Sequence, residues 1–209
     1  MTIKRASARD QITQILLDRI LDGTYKPGDR LVELQIAGEL KVSQAPVREA
    51  FRNLEAMRVI ESEPYKGTRV RQITQKELED SSRVRASLEE LASELAAPRL
   101  KEYLPRLEEQ ADLFMQAARD KDERKYSEHD IEFHRIIMEA SDNQLLLSIW
   151  ESVVLESRFR MTLKSIGADR LETFGQAHLP VIDAIKDGAQ EKVGSILKNL
   201  ICKYHFQKD

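Results

Sequence analysis

From Lys76 to the C-terminus every periodic apolar segment has helical spacing, which leaves few folds open to the larger part of the chain. Val84, Leu88, Leu91, Ala92 and Leu95 form one stripe. Leu146, Ile149, Trp150 and Val153 form a second, and Val193, Ile196, Leu197, Leu200, Ile201 and Tyr204 a third. With the segments 103–118, 124–140 and 170–187, this predicts six or seven helices packed as an antiparallel all-helical bundle. Composition agrees: Gly and Pro number 8 and 6, and charged residues are 33% of the chain against 6% aromatic, which favours helices over a β-sandwich or disorder. No apolar run approaches the ~18 residues of a membrane helix, and MTIKRASARD is polar rather than signal-like, so a cytoplasmic protein with no membrane partner is expected. One cysteine, Cys202, excludes an intrachain disulfide and any multi-cysteine zinc site; it reads as a structural thiol on a helix.

The first 75 residues follow another pattern. Ile12, Ile15, Leu16 and Ile20 predict a helix over Gln11–Asp22, stopped by Gly23. TYKPGDRL then turns the chain, a short helix is predicted from Val32 to Leu40, and a third begins after Ser43 with Val47, Ala50, Phe51 and Leu54 inward. Pro46 falls in that helix's first turn, where no intrahelical bond is lost. VIESEPYKGTRVRQI reads as a β-hairpin about Pro64-Tyr65-Lys66-Gly67. The predicted fold is therefore mainly α: a winged helix-turn-helix over residues 1–75, then the helical bundle over 76–209. The net charge of −3 divides unequally, since residues 1–75 hold 13 Lys and Arg against 10 Asp and Glu, leaving +3 there and −6 in the rest. A basic front end suits a polyanion.

The second helix of a helix-turn-helix lies in the major groove of double-stranded DNA. Gln44, Arg48 and Arg52 stand at i, i+4 and i+8 opposite the apolar stripe, with Ala45 beside Gln44 on the first turn. Ser43 and the free N–H groups at the helix start suit a phosphate, and Lys66, Gly67 and Arg69 of the wing can reach the adjoining backbone or minor groove. A solvated helix face, or a winged helix used only for protein contacts, remains open on these residues alone.

In the helical part, Asp130 and His134 in HDIEFHRIIMEA are one turn apart and share the face of Phe133 and Ile137. A carboxylate aimed into a core costs several kcal/mol unless paired or bound. Two readings stand: a satisfied core Asp–His hydrogen bond, or a chelate for zinc, nickel or manganese. Arg85 lies at the edge of its helix's inward face, and is either a fork for a carboxylate or a surface arginine paired with Glu89 one turn on. Arg158 and Arg160 are weaker candidates, and His129 is expected in solvent.

The run GTYKPGDRLVELQIAGELKVSQAPVREAFRNLEAMRVIESEPYKGTRV resembles the N-terminal domain of the GntR family of bacterial transcription regulators, with the pattern G-x-x-x-P-G-x-x-L, L-A-x-x-L-x-V-S-x-x-P-V-R-E-A-L-x-x-L and G-x-x-V. Relatives usually carry Arg and a small residue where this chain has Gln44 and Ala45, and an acid and Gly where it has Met57 and Arg58. An amide at position 44 suits adenine better than guanine.

RVRASLEELASELAA, HDIEFHRIIMEASDNQLL and HLPVIDAIKDG are similar to the FadR-type, or FCD, effector domain of the same family. The resemblance implies a homodimer whose helical domain binds a small carboxylate effector and so alters the affinity for operator DNA, in most such regulators as a repressor. It implies Asp130, His134 and His178 as metal ligands and effector contacts, and Arg85 as an arginine facing the effector cavity. The fourth ligand position of the family falls on Leu200, so a divalent metal would have three protein ligands; His205 lies too far around the helix to replace it unless the C-terminus frays. Three ligands and an open position also describe a catalytic centre, so the alternative is a helical metal-dependent hydrolase with an accessory winged helix.

Overall fold

The structure is a computed structural model that describes the backbone of residues 7–161 and 167–206 and the side-chain surroundings of 7–154 and 167–203. The chain divides into two compact units, Met1–Ile73 and Thr74–Asp209.

In the first unit α1 (Ala8–Leu21) opens with a capping box, in which Ser7 and Asp10 bond each other's backbone N–H. Ile12, Leu16 and Ile20 are buried, and α1 packs on α3. Ile15, placed on the same stripe by its spacing, is exposed. After α1, Gly23 takes φ 80. Helix α2 (Glu33–Leu40) ends on Lys41 in the left-handed region (φ 55), which turns the chain tightly into α3 (Gln44–Ala56). Val47, Ala50, Phe51 and Leu54 of α3 are buried. Arg58 follows at φ 59, a left-handed conformation that Gly adopts without strain. The wing consists of β2 (Ile60–Glu63) and β3 (Gly67–Val70), antiparallel with Ile60 opposite Val70 and Glu63 opposite Gly67. A strand not expected, β1 (Arg30–Leu31), pairs with the other edge of β3, giving the order β1-β3-β2. Two residues are too short for period-two alternation to register.

The second unit is a helical bundle: α4 (Gln75–Ala96), α5 (Leu100–Arg119), α6 (Glu123–Ala140), α7 (Gln144–Met161), α8 (Leu171–Gln176), α9 (Leu179–Lys186) and α10 (Val193–Phe206), with single 3-10 turns at Ala168–Arg170 and Gln190–Lys192. Thr74 and Glu77 form a capping box at the start of α4, and the Asp122 side chain caps α6. The short connection between α5 and α6 makes them packed neighbours. Segment 170–187 breaks into α8 and α9, with His178 at the cap of α9 and Pro180 in its first turn, where it costs no bond. The main core gathers Leu107, Phe114, Tyr126, Phe133, Ile185 and Leu197. A second cluster surrounds Trp150 with Ala92, Met138, Leu146 and Val154.

Three apolar stripes differ from their sequence patterns. On α4, Val84, Leu91 and Leu95 are 49%, 45% and 43% exposed, and the face turned inward carries Ser82, Arg85, Glu89 and Ser93 among alanines. On α7, Ile149 is exposed while Val154 is buried beside Trp150. On α10 the buried line runs Val193, Leu197, Ile201, and Leu200 is only half-buried, so it flanks the stripe rather than centring it.

Phe114 joins the core to the site, its ring centroid 5.8 Å from Phe133, 5.8 Å from Tyr126 and 5.1 Å from the His178 imidazole. Phe114→Ala is expected to cost about 3–5 kcal/mol. The urea midpoint of helical signal measures it, and a loss under about 1 kcal/mol would mean that this core can collapse around the gap.

Candidate functional site

The exposed face of α3 begins at Ser43, Gln44 and Ala45, all exposed. Ser43 occupies the N-cap position, but its hydroxyl makes no capping bond. Arg48 and Arg52 project from the same helix and are exposed. Each cation here meets an internal acceptor: Arg48 Nη2 lies 3.0 Å from Glu33 Oε2, Arg52 Nη1 2.7 Å from Glu49 Oε1, and Lys66 Nζ 2.5 Å from Glu63 Oε2. Arg69 Nη1 donates to the Gly28 carbonyl at 3.3 Å. Such exposed pairs are worth about 0–1 kcal/mol, little enough for a phosphate to displace the acid. Gly67 takes φ 84, and the Arg30 guanidinium lies 3.3 Å from where a Cβ would stand. This glycine lets the wing turn close against Arg30.

In the helical unit α6 contributes Asp130 and His134, the start of α9 contributes His178, and all three are buried. His134 Nε2 and His178 Nε2 are 3.2 Å apart, and His178 Nε2 is 3.1 Å from Asp130 Oδ1. The outer nitrogens are engaged: His178 Nδ1 lies 2.9 Å from the Phe174 carbonyl oxygen and His134 Nδ1 2.6 Å from Glu89 Oε2. A carbonyl or carboxylate oxygen only accepts, so each Nδ1 carries a proton; an Nε2 that holds a second proton donates inward, and one that does not turns a lone pair inward. With both Nε2 atoms unprotonated, two lone pairs and a carboxylate face one another, an arrangement that repels unless a positive charge, a proton or a metal ion, lies among them. One donor atom from each of the three residues fits within 4.8 Å, so a divalent cation suits the set.

Two residues of α4 complete the cluster. Arg85 and Glu89 form an ion pair at 2.6 Å, with side chains 4% and 1% exposed. The pairing of Arg85 with Glu89 thus exists but is buried, not on the surface. Arg85 Nη2 is buried without a hydrogen-bond partner among the described residues. Trp150 of α7 donates its Nε1–H to Glu89 Oε1 at 2.7 Å. Sequence reasoning placed Glu89 only as a surface partner and gave Trp150 no role beyond packing. An i, i+4 Arg–Glu pair looks identical on a solvated helix, and the signal that this face packs closely is the set of small residues Ala86, Ala92 and Ala96 on the same helix. Leu200 adds no donor atom. His129 is half-buried rather than in solvent, its Nδ1 2.9 Å from Gln110 Oε1. The side chains of Arg158, Arg160 and His205 lie outside the described residues.

Burial alone would push the Glu89 carboxyl up, but the charges of Arg85 and His134 and the bonds from His134 and Trp150 outweigh it and hold it down at about 2. Burial opposes ionisation of Asp130 too, and its bond to His178 with the surrounding cations keeps it well below the usual carboxylate range. For His134 burial is the largest influence and lowers its pKa, Arg85 adds to this, and Glu89 opposes. All three folded-state values lie below the unfolded ones, so the unfolded chain binds more protons and stability falls with acid. In chelator-treated protein the urea midpoint should hold above pH ~7, decline as the pH falls past the ordinary histidine value of 6.5, and drop further from 4.5 towards 2. A midpoint constant from pH 7 to 4 would contradict this electrostatic picture.

Residues 8–70 match the family described as bacterial regulatory proteins, gntR family, and residues 80–202 match the FCD domain. A probable D-xylose utilization operon transcriptional repressor of Paenarthrobacter nicotinovorans is 29% identical, over 97% of this chain and 89% of its own length. The gluconate operon transcriptional repressor of Bacillus licheniformis is 28% identical, over 88% of this chain and 78% of its own. A solved GntR-type transcriptional regulator from Rhodococcus sp. RHA1 superposes with a TM-score of 0.81 at 26% identity, covering 94% of this chain and 95% of that one. A winged helix-turn-helix ahead of an FCD helical bundle, matched along both units, makes this chain a member of the GntR family of transcription regulators that carry an FCD domain.

Proposed function

We propose that the chain is a ligand-responsive repressor, homodimeric and cytoplasmic, whose winged unit binds operator DNA and whose helical unit takes up a small carboxylate through a divalent cation. The observation that carries this reading is the inward convergence of Asp130, His134 and His178 beside the partnerless Arg85 Nη2. A bound zinc, nickel or manganese ion would supply a positive centre with coordination positions left open for an effector carboxylate. Asp130 and the two Nε2 atoms would hold it, and Arg85 Nη2 would donate to the effector's remaining oxygen. The names of both relatives, repressors of a D-xylose utilization operon and of a gluconate operon, support repression.

On the DNA side, Gln44, Arg48 and Arg52 would meet base edges and phosphates, Ser43 and Ala45 the backbone at the helix start, and Lys66, Gly67 and Arg69 the flanking backbone or minor groove. One winged helix makes few contacts, and paired half-sites multiply specificity. The outward Val84, Leu91 and Leu95 of α4, with Ile149 on the adjacent α7, support a second copy packed there. A hydrolase in this pocket would need a general base, and Glu89, the acid beside the cluster, has both oxygens bonded.

The DNA reading is tested by titrating the chain's own promoter fragment at several salt concentrations. Wild type should bind with a negative salt slope, and Arg48→Ala should weaken binding by about 1–3 kcal/mol. Wild-type protein that fails to bind at low salt would end the regulator reading for this chain. For the cation, elemental analysis of untagged protein should find metal, and Leu200→His, placed at the family's fourth ligand position, should hold zinc more tightly. If both stay metal-free with zinc added, the cation reading falls.

A further inference from the structure

Glu89 is no part of the donor set, yet it joins three helices behind it. Its Oε2 accepts from His134 on α6, and its Oε1 accepts from Arg85 one turn away on α4 and from Trp150 on α7. An ion pair with Arg85 alone would need no imidazole; here one whole oxygen is given to His134 at 2.6 Å. With the Arg85 and Trp150 N–H groups on Oε1, the carboxylate acts as the acceptor of the group, and His134 presents Nδ1–H to Oε2.

We infer that Glu89 is a positioning residue of the cation site: it fixes His134 in the Nδ1–H tautomer with the Nε2 lone pair aimed at Asp130 and His178, and ties that ring to α4 and α7. The inference rests on the cation reading above. It makes the two histidines unequal. His178 is backed by the neutral carbonyl of Phe174, whereas an anion backs His134 and raises the basicity of its Nε2. In a site whose fourth family position holds Leu200, a stronger donor at His134 compensates part of the missing imidazole. Trp150, the single tryptophan of the chain, donates to the same carboxylate and therefore reports on it.

The test is a zinc titration of untagged full-length wild type and Glu89→Gln, followed by competition with a chelating dye and by Trp150 fluorescence, with the cobalt(II) visible spectrum recorded for each. The wild type is expected to bind zinc with a change in Trp150 emission, and Glu89→Gln to bind about 10–100-fold more weakly with an altered cobalt spectrum. Equal zinc affinity and identical cobalt spectra in the two proteins would overturn the role of Glu89 and leave the cation reading intact. A wild type that takes up no zinc would overturn both. Glu89→Gln leaves Arg85 without its anion and can fail to fold. Nitrogen-15 NMR of the wild-type imidazoles decides in that case: zinc on His134 Nε2 with Nδ1–H retained supports the inference, and zinc on Nδ1 overturns it.

Discussion

A carboxylate remains ionised in a helical core only where a cation is held against it, and the Arg85–Glu89 pair on α4 meets that condition. Much of the helical unit's arrangement follows from it. Because Glu89 is charged and both its oxygens are bonded, His134 and Trp150 must bring N–H groups to it from α6 and α7. His134 then turns Nε2 towards His178 and Asp130, while the Phe174 carbonyl performs the same service for His178. The cluster is therefore oriented from outside by its acceptors, and what it presents inward is electron-rich.

The same pair explains the orientation of α4. With Arg85 and Glu89 inward, Val84, Leu91 and Leu95 on the other side of α4 are exposed, while Leu78 is buried and Leu88 packs against the Trp150 cluster. The two units use charge in opposite ways. In the winged unit Arg48, Arg52 and Lys66 sit in exposed pairs weak enough to exchange for phosphate. Around the cluster of the helical unit the charges of Arg85, Glu89 and Asp130 are buried and bonded, and among the described residues Arg85 Nη2 is left without a partner. The proposed regulator would use both: a surface that exchanges its own acids for phosphate, and a buried cluster held rigid by its outer hydrogen bonds.

The winged helix-turn-helix was legible because its signals are local: Gly23 stops α1, the apolar positions of α2 and α3 repeat at 3.6 residues, and the hairpin turns at Tyr65 to Gly67. Strand β1 was not, since two residues carry no period. The bundle was legible as helices, and the inward face of α6 with it, but on α4 periodicity assigns Val84, Leu91 and Leu95 inward and the structure leaves them exposed. Asp130 and His134 stood out as polar residues on an apolar helix, whereas His178 came from the family resemblance, being at the junction of two short helices with no pattern of its own. Glu89 was hidden, because a buried and an exposed i, i+4 salt bridge are written with the same letters. Leu200 belongs to the α10 stripe by spacing, yet it is only half-buried where Val193, Leu197 and Ile201 are buried.

The central claim is that occupancy of the Asp130–His134–His178 cluster governs DNA binding by the winged unit. It is tested most directly by the affinity of the full-length protein for its own promoter DNA, with and without zinc, in wild type and in His178→Ala. The account predicts that zinc changes the wild-type affinity and leaves that of His178→Ala unaltered. Identical responses in the two proteins, or none in the wild type, would contradict it.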